Sequence, residues 1–238
     1  MNINFEEVLN RISFTTNPKD AANNIDLVSE SVTEDIELKK KVWAQFGELC
    51  PPHTLFTTNT SYLLPSQFAK ATSRPTRFCA FHFHDVFVAN VVDIMPHPTT
   101  EPWVTDLLMQ LGKRLHQTPI LVAKESNGYI FNFMLINILS SAATLLIKGV
   151  GSIEDIDRSW MGNFKTPIGP FGMMDQVGLD TAWHIISAQN TIQSKDFQAL
   201  LQSYIDQNKL GIKNGTGFYN YPGPKYQEKG FVSGKTYT

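Results

Sequence analysis

Asn59-Thr60-Ser61, Phe81-His82-Phe83-His84-Asp85 and Val91-Val92-Asp93-Ile94 bring a hydroxyl, an imidazole and a carboxylate into about 35 residues of chain. Together these groups can move a proton on or off an alcohol oxygen. Histidine ordinarily titrates at about pH 6.5, so His82 suits the base in one direction and the acid in the other. A carboxylate beside it selects which ring nitrogen faces the reactant. His84, Asp85 and His97 suggest a different chemistry. Residues 82 and 84 share a strand face, so with Asp93 they could offer a metal mixed nitrogen and oxygen ligands. The spacing is not that of a zinc motif, and the expectation is no metal.

The surrounding pattern must supply the scaffold. Up to about Lys124, short β-branched runs alternate with helical patterns, as in βαβ units. Strands are expected at Asp26 to Val28, Thr54 to Thr57, Arg77 to Phe81, Val91 to Met95 and Pro119 to Ala123. Thr33 is the expected cap of an intervening helix whose first acids, Glu34 and Asp35, suit its positive dipole end, with Ile36, Trp43 and Phe46 facing inward. Lys39-Lys40-Lys41 on that helix reads as a solvated face. Beyond Asn127 the pattern turns helical. Ile130, Met134, Leu135, Ile138, Leu139, Ala142 and Leu145 recur at helix spacing until Gly149, and Ser152 starts a capping box. Further helices are expected near Thr181 to Ile192 and Phe197 to Asn208.

Composition excludes several classes. With 238 residues, 42% hydrophobic and 18% charged, the chain can bury a large core or two smaller ones. A net charge of −2 gives no general reason to bind nucleic acid. Cys50 and Cys79 show no CxxC or disulfide-scaffold spacing, which fits a reducing cytoplasm, and Met1 to Glu7 is no signal peptide. Gly128 to Ile147 is uncharged, but Asn132, Asn137, Ser140, Ser141 and Thr144 interrupt it. It reads as a buried or subunit-interface helix rather than a membrane span.

Several motifs occur in order: Asn59-Thr60-Ser61, Arg74-Pro75, His82-Phe83, Gly128-Tyr129-Ile130-Phe131-Asn132 and Glu154-Asp155-Ile156-Asp157. They are followed by Pro167-Ile168-Gly169-Pro170-Phe171, Asp175-Gln176-Val177-Gly178-Leu179-Asp180 and Gly215-Thr216-Gly217-Phe218-Tyr219. On these motifs the chain, from about Asn10 to Pro222, resembles the 3-hydroxyacyl-CoA dehydrogenases, a family of NAD-dependent enzymes. The resemblance implies a partial Rossmann-type α/β domain over 1–124 and an all-α dimerisation domain over 125–238. It implies interconversion of 3-hydroxyacyl-CoA and 3-oxoacyl-CoA with NAD, by a homodimer. It assigns catalysis to His82, Asp93, Ser61 and Asn132, and cofactor contacts to Glu34, Lys39, Ser61 and Lys213.

Two departures stand out. Asp93 replaces the family's longer Glu at an interval one residue shorter, and His84-Asp85 occupies a region where the family has an aromatic and Asn. No Gly-x-Gly-x-x-Gly turn precedes Asp26, so by resemblance the chain starts at the second mononucleotide-binding half, and the isolated chain is expected to bind NAD poorly. A catalytically silent acyl-CoA-binding or oligomerisation protein is the alternative, and a metal hydrolase a distant third.

Overall fold

A computed structural model describes residues 4–187 and 192–234. The Met1-Asn2-Ile3 start and residues 188–191 of the expected Thr181 to Ile192 helix lie outside that range. Two compact units form, Met1–Asn132 and Phe133–Thr238.

The first unit runs α1 (Phe5–Leu9), α2 (Pro18–Ala21), β1 (Leu27–Glu30), α3 (Ile36–Leu49), β2 (Leu55–Thr58), β3 (Phe78–Phe83), β4 (Val91–Pro96), α4 (Pro102–Arg114) and β5 (Thr118–Leu121). The strands make one sheet in the order β1-β2-β3-β4-β5. β1, β2 and β3 are mutually parallel, β4 turns back antiparallel to β3, and β5 is parallel to β4. β2 is buried on both sides, as expected where helices cover both faces of a parallel sheet. Alternation along the strands sends Phe56 and Phe78 to Trp43 of α3, with ring centroids 5.0 and 5.2 Å away. Leu55, Cys79 and Phe81 meet Val104 and Leu108 of α4 in a second cluster. The expected strands therefore all form, with ends shifted by at most two residues.

Two expectations about α3 fail. Its cap is Asp35, whose Oδ1 accepts from the Leu38 amide at 2.7 Å, and not Thr33. Lys39 is not on a solvated face. It lies one helical turn before Trp43, is 1% exposed, and binds Glu30 at 2.8 Å. Arg74 closes the other end of α3, donating to the Gly47 and Cys50 carbonyls at 2.7 and 3.1 Å. Those are orphan acceptors of a helix C-terminus, so the Arg74-Pro75 motif is structural.

The helical part comprises α5 (Phe131–Ile147), α6 (Ile153–Phe164), α7 (Pro170–Val177), α8 (Leu179–Ser187) and α9 (Ile192–Ile205). α5 ends before Gly149, whose φ of 66° ordinary residues resist. Ser152 caps α6, accepting from the Asp155 amide at 3.1 Å. The remaining motifs become buried carboxylate ties. Asp157 accepts from the Phe171 and Gly172 amides at 2.8 and 3.1 Å and from the Tyr219 hydroxyl at 3.0 Å. Asp175 accepts from the Phe218 and Tyr219 amides, both at 2.8 Å. These bonds fasten the tail to α6 and α7. Among the described residues no helix is long and apolar enough to cross a membrane.

Candidate active site

The antiparallel pairing of β3 with β4 sets the core of the site. Its register puts His82 directly opposite Asp93, so both side chains leave the same face of the sheet. Both are buried, at 5% and 2% exposure, which excludes a solvent-exposed role for Asp93. His82 Nδ1 lies 3.5 Å from Asp93 Oδ2. His84 Nε2 lies closer, 2.9 Å from the same oxygen. One carboxylate oxygen thus serves two imidazoles, and the shorter contact belongs to the histidine outside the expected pair. Burial pushes the Asp93 carboxyl upward, but the hydrogen bonds and charge of the two histidines outweigh it and hold the group below its ordinary range.

Aromatic rings fix the imidazoles. Tyr129 packs on His82 with centroids 5.0 Å apart, and Phe131 meets the His84 ring edge-on at 5.5 Å. Tyr129 is buried and donates its hydroxyl to the Thr60 carbonyl at 2.8 Å. Burial and nearby carboxylates keep that phenol protonated well above its ordinary range, so it remains a donor. Tyr129 is a positioning residue that sequence reasoning did not single out. Its signal was present in the Gly128-Tyr129 turn, where both residues have positive φ and aim the chain into α5.

Asn132, the second residue of α5, donates from Nδ2 to the Ser61 carbonyl at 3.2 Å. Ser61 sits in the loop after β2, and Asn59 ties that loop to β3 by accepting from the Phe83 amide at 2.8 Å. Glu34, in the loop after β1, organises the other side. Its carboxylate accepts from the Thr60 hydroxyl at 2.7 Å, the Ser61 amide at 2.6 Å and the Ser61 hydroxyl at 3.2 Å. Lys39 Nζ stands 3.4 Å from Glu34 and is enclosed with Glu30, so it steadies Glu34 from behind. Glu34 and Ser61 occupy the carboxyl ends of parallel strands, where open α/β sheets bind ligands. Lys213 belongs to the second unit and is ion-paired with Asp180. In the first unit, then, Glu34, Lys39 and Ser61 form one bonded group with Asn132, and His82 and Asp93 form another.

The chain is similar to known proteins over most of its length. Residues 2–126 match the NAD binding domain of 3-hydroxyacyl-CoA dehydrogenase, and residues 128–221 match its C-terminal domain. Human mitochondrial hydroxyacyl-coenzyme A dehydrogenase is 32% identical over 223 residues, covering 91% of this chain and 70% of the human protein. A diketoreductase structure, described as catalysing reactions of dicarbonyl compounds, superposes with a TM-score of 0.86 at 37% identity, covering 91% of this chain and 77% of that one. The (S)-3-hydroxybutyryl-CoA dehydrogenase of Ralstonia eutropha superposes with a TM-score of 0.80 at 29% identity, with the same coverage. The chain belongs to the 3-hydroxyacyl-CoA dehydrogenase family.

Proposed function

We propose that this protein interconverts a 3-hydroxyacyl-CoA and its 3-oxoacyl-CoA through His82. The observation that carries the reading is the buried pairing of His82 with Asp93, in a chain of this family whose Asn132 is bonded to the Ser61 loop. In oxidation the C3 hydroxyl loses its proton to His82 Nε2, because Nδ1 is turned to Asp93. In reduction the same nitrogen returns the proton. The Ser61 hydroxyl, turned from Glu34, and the second hydrogen of the Asn132 amide polarise the C3 oxygen as donors, strengthening as charge develops on it. NAD supplies the hydride acceptor when bound, and Glu34 and Ser61, with Lys39 behind them, shape its nicotinamide end.

The test is NADH-dependent reduction of acetoacetyl-CoA by the 238-residue chain, alone and fused to a glycine-rich βαβ segment. His82→Gln in the fused form should lower turnover by about 10²–10⁴-fold without loss of folding. Near-normal turnover by that variant would remove His82 from proton transfer. Acyl-CoA binding with no turnover in either form would instead favour the silent binding protein. A second reading, reduction of a dicarbonyl not attached to CoA, is favoured by the similarity to diketoreductase. Faster turnover of a free diketone than of acetoacetyl-CoA would select it.

The proposal extends to organisation. Residues 1–124 serve the cofactor, and 125–238 form the dimerising part. α5 and the segment after it expose Phe133, Met134, Ile147 and Val150, and an apolar groove beside Trp160 and Phe164 continues the patch. The occupant we favour is a second copy of the chain. Free, separately buried Cys50 and Cys79 agree with a reducing cytoplasm.

A further inference from the structure

His84 gives this site a chemistry that proton transfer does not use. We propose that His82, His84 and Asp93 form a reversible binding site for a zinc-class divalent metal, and that metal occupancy and proton transfer exclude one another. Two imidazoles and a carboxylate are a donor set suited to zinc and its borderline neighbours. The candidate ligand atoms all lie within 4.8 Å of one another, and this is the one such group among the described residues. A tetrahedral ion with bonds of about 2.0–2.1 Å sets its ligand atoms roughly 3.3 Å apart. Asp93 Oδ2 stands 3.5 Å from His82 Nδ1 and 2.9 Å from His84 Nε2, either side of that value. The two ring centroids are 4.7 Å apart, so a modest rotation of one ring closes the remaining separation.

The ligands are held before any metal arrives. The β3–β4 register fixes His82 against Asp93, while Tyr129 and Phe131 pack on the two imidazoles. Only three protein ligands converge, which leaves the fourth position open, as in zinc sites that exchange a water or small ligand. Binding needs each imidazole to present a bare nitrogen to the ion. The proton now shared with Asp93 must therefore move to the opposite ring nitrogen or leave. For His82 that places a hydrogen on Nε2, the atom assigned above to accept the substrate proton. A metal-bound His82 is then no base, and the metal acts as an inhibitor. This last step rests on the proposed role of His82, whereas metal binding itself does not.

The test uses the purified 238-residue protein, stripped with chelator and titrated with zinc chloride by calorimetry. One zinc per chain with micromolar or tighter affinity is expected. His84→Phe, or the smaller change His84→Asn if the first lowers the melting temperature, should weaken binding by at least about tenfold. His53→Gln, remote in the fold and solvent-facing, should leave it unchanged. Cobalt(II) in place of zinc should develop the visible absorption of a low-coordinate nitrogen–oxygen site, lost in the His84 variant. No saturable one-to-one binding, or unchanged affinity in both His84 variants, would overturn the site. In the NADH assay, zinc should inhibit with the midpoint seen by calorimetry and chelator should restore activity. Zinc binding at His84 without inhibition would overturn the exclusion while leaving the site. Calorimetry decides the metal question whether or not the chain turns over acyl-CoA.

Discussion

Asn132 is the residue whose role is most exposed to a simple test. Its amide reaches the Ser61 carbonyl at 3.2 Å, so it links the start of α5 to the loop that carries the other proposed oxygen donor. If it polarises the reacting oxygen, Asn132→Ala should lower kcat by about 10²–10³-fold, the usual cost of losing one oxyanion donor. Single-turnover kinetics and a thermal melt check it, and a variant with unchanged kcat and an unchanged melting temperature would reduce Asn132 to a loop tie. The contacts of His82 with Asp93 and of Asn132 with the Ser61 loop were legible because their flanking motifs occur in order. The convergence of both histidines on Asp93 was readable only as the metal alternative, and the sharing of one oxygen was not. It depends on how far β3 stays extended past His82 and on the turn at Asp85, where the Val88 and Ala89 amides return to one carbonyl. A one-residue slip there would send His84 to the opposite face.

At the scale of elements, α3 shows what periodicity leaves out. A run of three lysines looks like a charged stripe, yet residues 39 and 43 lie on the same helix face, and Trp43 is fully buried. Lys39 follows Trp43 inward because Glu30, at the end of β1, waits there with its own ties to the Val32 amide and the Thr58 hydroxyl. The signal existed in the acids at 30 and 34, but pairing them with Lys39 required knowing how α3 packs against the end of β1. Removing one member of such a pair strands a buried charge. Glu30→Leu should therefore cost about 3–5 kcal/mol of stability, while Glu30→Leu with Lys39→Met should recover most of that loss. Urea unfolding of the two variants reads the difference directly, and equal midpoints would mean that the pair is worth little beyond its packing. Because Lys39 also faces Glu34, the double variant should weaken nicotinamide binding even where stability returns.

At the scale of the molecule, the two units carry buried carboxylates of opposite sense. In the first unit Asp93 is held below its ordinary range by two histidines, so its contribution to stability is present at neutral pH and lost as pH falls through its folded value. In the second unit burial outweighs three hydrogen-bond donors and, with the nearby charge of Asp175, pushes the Asp157 carboxyl up to about 6. Burial also raises Asp175. For these two the sign reverses. A folded value above the unfolded one means that the native state binds the proton more tightly. The Asp157 contribution is complete below the unfolded value of about 3.9 and lost as pH rises through about 6. At about 1.4 kcal/mol per pH unit, Asp157 alone can shift stability by up to about 3 kcal/mol over that window. The motifs containing Asp157 and Asp175 were legible, but their burial was not, since Asp is ordinarily a surface residue. Asp157→Asn keeps one acceptor oxygen and removes the titration. The variant should be less stable than the unsubstituted protein throughout, and the gap between them should narrow from pH 5 to pH 7.5. Urea midpoints followed by the Trp160 and Trp183 fluorescence of the second unit measure that gap. A gap that widens with rising pH would show that the three donors win over burial and that Asp157 is an ordinary ionised anchor.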